Sequence, residues 1–152
     1  MRAPIMFDVI GEPKAQPRPR AFARKVGDKM TARVYDAGTA EGWKGLIAEA
    51  ARHHVPATPL GVAEIQMRFR IRRPKSHYLK SGALKPSAPR RHTQKPDCDN
   101  LAKAVVDCLK TLGFFMDDAV IDQMVIVKRW TSGDPPQGAY IRLVDAEEFS
   151  DG

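Results

Sequence analysis

A chain of 152 residues, 43% hydrophobic and 28% charged, has the size of one folded domain and an apolar content that excludes disorder. No run of about 18 apolar residues would cross a bilayer, the opening apolar stretch is broken at Asp8 before it could act as a leader, and Cys98 and Cys108 lack the spacing of a zinc site or a disulfide framework, which places two free thiols in a reducing cytoplasm. A net charge of +7 and a pI near 9.6 favour polyanions, nucleic acid above all, as partners.

Residues 5–10 form a short apolar run closed by Gly11 and Pro13, which predicts a first strand. Residues 12–36 read as a basic arm, since Pro13, Pro17 and Pro19 fix φ and remove backbone donors. Its Lys14, Arg18, Arg20 and Arg24 are candidate phosphate contacts, against the plainer reading of a solvated charged face. Over 39–54, Trp43, Leu46, Ile47, Ala50 and Ala51 recur at helical spacing, and Pro56 and Pro59 end the helix. Residues 62–71 alternate, with Ile65, Met67, Phe69 and Ile71 on one face and Glu64, Gln66, Arg68 and Arg70 on the other, which predicts a half-buried strand.

Residues 72–96 show no periodicity and are rich in Pro, Ser, Lys and Arg, so a long basic loop is expected. Within it Arg72, Arg73, Lys75, Arg90, Arg91 and Lys95 are further candidate DNA contacts. A helix over 99–112 presents Leu101, Val105, Leu109 and Leu112 on one stripe and stops at Gly113. Phe114 and Phe115 read as core rather than as a wedge for opened DNA. The Val- and Ile-rich run 120–130, a polar connection through Gly133, Pro135, Pro136 and Gly138, and the run 140–144 predict a hairpin with a long turn. The element order favours an α+β fold, a mixed β-sheet with two main helices, as a single domain over 1–152. His53, His54, His77 and His92 are scattered without metal spacing, and none is nominated as a base.

The chemistry concentrates in KPDCDNLAKAVVDCLK. On one reading Asp97 or Asp99 caps the helix, Lys103 is a solvated residue four positions on, and Asp117-Asp118 are turn residues. On the other, a helix start and a neighbouring strand start bring Asp97, Asp99 and Asp118 together. Clustered carboxylates oppose one another's ionisation unless a cation compensates them, and hard oxygen donors select Mg²⁺ or Mn²⁺. Such an ion suits phosphodiester hydrolysis, and Lys103, one turn after Asp99, could direct its ammonium at a scissile phosphate.

These residues also carry a family likeness. KPDCDNLAKAVVDCLK followed by FFMDDAVIDQMVIVK resembles the RusA-type Holliday junction resolvases, the crossover junction endodeoxyribonucleases, in which Pro-Asp-x-Asp-Asn-Leu-x-Lys precedes a helix, an Asp-Asp pair, a Val and a later Lys. GEPKAQPRPR matches the family's Gly-x-Pro-x-x-x-x-Arg-Pro-Arg-like arm, so the resemblance runs from Gly11 through Lys128. It implies a RusA-like fold and a homodimer that nicks two opposed strands of a four-way DNA junction with Mg²⁺ or Mn²⁺ in recombination and repair, each subunit supplying one site. It further implies that Asp97, Asp99 and Asp118 are the catalytic, metal-holding acids, that Lys103 is the essential lysine, and that Asp117 is the secondary partner of the acidic pair. A non-catalytic junction-binding accessory protein would show a broken acidic set, and here the set is intact. A nuclease for other branched DNA or for RNA differs only in substrate.

Overall fold

The computed structural model describes residues 3–17 and 39–148. Four strands and two helices follow in the order β1 (Ile5–Ile10), α1 (Ala40–Ala51), β2 (Ala63–Arg72), α2 (Cys98–Leu112), β3 (Ile121–Thr131) and β4 (Gly138–Asp145). The expected α+β architecture is present: the strands form one mixed sheet and both helices pack against it. Of the basic arm, Arg18, Arg20 and Arg24 lie outside the described residues. Among the described residues no helix is long and apolar enough to cross a membrane.

Local signals explain the helices. The Thr39 hydroxyl accepts the Gly42 amide at 3.1 Å and starts α1, which buries Trp43, Ile47 and Ala51. Gly113 ends α2 at φ +94, a left-handed conformation that disfavours a Cβ. Leu101, Val105 and Leu109 from α2 meet Ile65, Met67 and Phe69 from β2 and Ile141 and Leu143 from β4 in one core, which Phe114 and Phe115 complete. Those two rings are buried, as expected of core residues.

The predicted hairpin of β3 and β4 does not form. The sheet order is β1-β4-β2-β3: β2 lies between them, antiparallel to β4 and parallel to β3. Burial accounts for the exchange. Ala139, Ile141 and Leu143 give β4 a fully buried face, and β4 lies inside the sheet, between β1 and β2. β3 keeps Ile126 half-buried and Met124 and Val125 exposed, a pattern suited to an edge. The polar connection between them carries the chain past β2 instead of turning it back on its neighbour.

On the helix-free face Arg70 of β2 reaches across β4 to β1. Its guanidinium donates to both carboxylate oxygens of Asp8 at 2.9 Å and to the Pro136 carbonyl at 2.7 Å. The group passes over Gly138, the register partner of Arg70 on β4, where a Cβ would stand 2.0 Å from the Val9 carbonyl oxygen and 2.7 Å from Arg70 Nη2.

The loop over 73–97 contains a single 3-10 turn, Lys75–His77, and one bridge between Tyr78 and Leu84. It is fastened to β3 through Trp130. The indole Nε1–H donates to the Arg91 carbonyl at 3.0 Å, His92 packs on the ring at 4.2 Å between centroids, His77 meets its edge at 5.0 Å, and the Arg73 guanidinium lies 5.6 Å from its centre. Arg73 also donates to the Pro89 carbonyl at 2.7 Å. His92 is buried and its Nδ1 has no hydrogen-bond partner.

Two outcomes follow from this packing. Gly138→Ala should destabilise the protein by about 1–3 kcal/mol in urea unfolding, because the added methyl strikes backbone that cannot move without opening β1 from β4. A loss within about 0.5 kcal/mol would show that the sheet yields there. For His92, burial and then the Lys128 ammonium hold the imidazole below its ordinary pKa. The unfolded chain protonates this ring near about pH 6.5 and the folded protein does not, so its stabilising contribution is complete above that pH and is lost as pH falls through about 6.5 toward the folded value. Melting curves between about pH 8 and pH 5 should therefore fall more steeply for the wild type than for His92→Phe. Parallel pH dependence in the two proteins would exclude His92 as the linked group.

Candidate active site

The helix-side column of β3 reads Met124, Ile126, Lys128, Trp130, since these pair with Ile65, Met67, Phe69 and Ile71 of the buried β2 face. Met124 and Ile126 line a groove of about 440 Å³ whose opposite wall is α2. Asp99, Lys103, Asp107, Asp118 and Asp122 supply its charged lining. Asp97 opens instead into an adjoining recess with Lys95, Pro96 and Asn100.

Asp97 occupies the N-cap position of α2, yet its side chain makes no capping hydrogen bond; only its carbonyl joins the helix, accepting the Leu101 amide at 3.0 Å. Asp99 lies in the first turn and is exposed. Among the described residues no cation pairs with Asp97, Asp99 or Asp118. An unused N-cap carboxylate forgoes roughly 1 kcal/mol of helix stability, so the capping reading does not account for Asp97. Lys103 does not pair with Asp99 either. Its ammonium lies 3.8 Å from Asp107, with the lysine side chain 60% exposed.

The Asp-Asp pair follows a separate local logic. The Asp117 carboxylate accepts the Ala119 amide at 3.1 Å and starts the 3-10 turn Asp118–Val120. That amide, then a hydrogen bond with the Asp118 side chain, then the Lys110 ammonium, hold the Asp117 carboxyl below its ordinary value. The pair therefore sits beside the C-terminal half of α2. Asp99 precedes Lys110 by eleven residues, which is roughly 16 Å of helix at about 1.5 Å per residue. Consistent with this, no three His, Cys, Asp or Glu side chains among the described residues converge on one point. Asp99 and Asp118 line one groove, Asp99 from the first turn of α2 and Asp118 from the approach to β3.

Two acids at the head of α2 nonetheless suit Mg²⁺, an ion commonly held by one or two carboxylates with water and substrate phosphate completing the shell. The donors are hard oxygens throughout. Cys98, between them, is half-buried, and burial pushes the Cys108 thiol up to about 11, so neither thiol is offered as a soft ligand in this groove.

The basic candidates divide. Lys14 pairs with Glu12 at 3.0 Å. Arg73 is engaged by Trp130 and Pro89, and Arg70 by Asp8 and Pro136. Lys75, Arg90, Arg91 and Lys95 are exposed. Sequence reasoning passed over Asp107 and Asp122, although Asp99, Lys103 and Asp107 are spaced i, i+4, i+8 on one helix stripe. It also gave Lys128 no role, although period-2 alternation places a lysine in a column otherwise facing the helices.

The family model described as Endodeoxyribonuclease RusA matches residues 11–143. The chain is also similar to a protein of Bacillus subtilis (strain 168) named "Uncharacterized protein YqaN", with 32% identity over 152 aligned residues that cover 93% of this chain and 98% of that protein. The match spans the arm, the acidic helix start, the Asp-Asp turn, β2, β3 and most of β4, leaving out β1 and the last residues of β4, and on that extent the chain belongs to the RusA endodeoxyribonuclease family.

Proposed function

We propose that this protein is a divalent-metal-dependent endonuclease that resolves four-way DNA junctions by paired nicking in recombination and repair. The observation that carries this reading is the pair of exposed, uncommitted carboxylates at the start of α2, one of them forgoing its cap, beside a lysine on the same helix stripe. Asp97 and Asp99 would hold Mg²⁺ or Mn²⁺, with Asp118 as the third acid. An ion of this class neutralises charge on phosphate oxygens and acidifies water. Lys103, loosely held by Asp107, is free to swing its ammonium onto the phosphate as negative charge gathers there. Lys75, Arg90, Arg91 and Lys95 extend the positive surface along the loop that precedes these acids, and each phosphate they neutralise would steepen the salt dependence of binding. Arg18, Arg20 and Arg24 are proposed to add to it from the arm.

Separation of Asp99 from Asp118 within one chain bears on assembly. A two-fold axis perpendicular to the groove runs two grooves in opposite directions, which sets the head of one against the tail of the other. A symmetric homodimer is thus the arrangement in which each acidic pair at a helix head finds an Asp118, from the partner subunit, and in which two identical sites face opposed strands.

The decisive experiment uses a labelled four-way junction and a matched linear duplex with Mg²⁺, Mn²⁺ or chelator. Asp99→Asn should lower junction nicking by at least about 100-fold, equivalent to about 2.7 kcal/mol, while junction binding in a gel shift persists. Undiminished nicking by that variant, or nicking in chelator, sinks the metal assignment. Mixing inactive Asp99→Asn and Asp118→Asn chains separates the two arrangements of the site. A dimer that shares acids between subunits regains one intact site and single-strand nicking, whereas sites closed within each chain stay inactive.

A further inference from the structure

We infer that Lys128 is a positioning residue for the acidic pair at the head of α2: its ammonium fixes the main chain that delivers Asp97 and Asp99. This rests on the metal-site reading above. Lys128 projects from the helix-side column of β3 between Ile126 and Trp130, and its Nζ donates to the Gln94 carbonyl at 2.5 Å and to the Pro96 carbonyl at 2.8 Å. The Pro96 carbonyl belongs to the same rigid peptide plane as the Asp97 amide. Holding that oxygen sets the plane from which the Asp97 side chain departs, and one residue later α2 begins.

Among the described residues no other side chain grips this stretch of main chain; the next anchor upstream is Trp130 on the Arg91 carbonyl. Among the described residues these carboxylates make no ion pair, and Asp97 makes no cap, so no bond of their own among those residues fixes where they point. An ammonium suits the task because it offers three donors and two meet carbonyls on either side of Lys95. Supports of this kind around a metal site commonly change affinity by roughly 10- to 100-fold when removed.

A purely structural anchor would lower stability and leave ion binding alone, and Trp130→Phe supplies that control, since it removes the indole donor to Arg91 while keeping a ring under the loop. Mn²⁺ binding to the DNA-free protein is read by calorimetry for the wild type, Lys128→Met, Lys128→Arg, Trp130→Phe and Asp99→Asn, with a melting curve for each. Lys128→Met should weaken Mn²⁺ binding at least about tenfold, Lys128→Arg should recover most of that loss by donating to the same two carbonyls, and Trp130→Phe should bind as the wild type does. On the junction, the Mg²⁺ concentration needed for half-maximal nicking should rise for Lys128→Met while the rate at saturating Mg²⁺ changes far less. If Lys128→Met does not fold, Lys128→Gln, whose neutral and shorter side chain cannot reach both carbonyls, replaces it with the same expectation. Wild-type Mn²⁺ affinity in a folded Lys128→Met or Lys128→Gln protein overturns the inference. Absence of Mn²⁺ binding by the wild type overturns the metal reading itself, and the Asp99→Asn protein, which should bind weakly whatever the role of Lys128, tells those two failures apart.

Discussion

Parallel pairing between β2 and β3 is the constraint from which the rest of the molecule follows. Two parallel neighbours cannot be joined by a tight turn, so the chain must climb out of the sheet, cross it and come back to the starting edge. Here the crossing is made by a long loop and α2 together, and the return requires α2 to run against the direction of β3. One wall of the groove is thereby a helix whose first turn bears Asp99, and the other is an edge strand whose approach bears Asp117 and Asp118. The carboxylates occupy the two ends of that groove because the strands on either side of the crossover point the same way.

Much of this was legible from residue patterns, and the failures have identifiable causes. Thr39 with the Trp43, Ile47 and Ala51 stripe, and Gly113 after Leu112, are signals contained within one element, and both helices appear where those signals lie. The alternation over β2 was equally local. Pairing between elements was another matter: the Val- and Ile-rich run before Gly133 and the run after Gly138 look like hairpin partners because they are neighbours in sequence. What sets their positions is competition for cover, with Ile141 and Leu143 requiring more burial than Met124 and Val125. No window of residues contains that comparison.

The site was legible in part for the same reason. Asp97, Asp99 and Lys103 lie within one stretch whose spacing can be read directly, and the structure places them at one helix head. Distance between that head and Asp118 depends on the direction of α2 relative to β3, a tertiary fact. The separate uses of the arginines were also hidden: Arg70 and Arg73 look like any other basic residues in the sequence, and only the fold shows one locked to Asp8 and the other laid against Trp130. The uncapped Asp97 is a local choice that works against local stability, the kind of inconsistency expected where a side chain is reserved for a ligand.

The fastening of the long loop has a consequence for how such a protein can change over time. The hydrogen bonds that Trp130 and Lys128 make to the loop end on main-chain oxygens, at Arg91, Gln94 and Pro96, as does the bond from Arg73 to Pro89. Carbonyls are the same whatever side chain accompanies them. Outward residues of the loop that make no anchoring contact, such as Arg90 and Lys95, can therefore change while these main-chain bonds keep its path, so the loop's surface can diversify while the scaffold stays as it is.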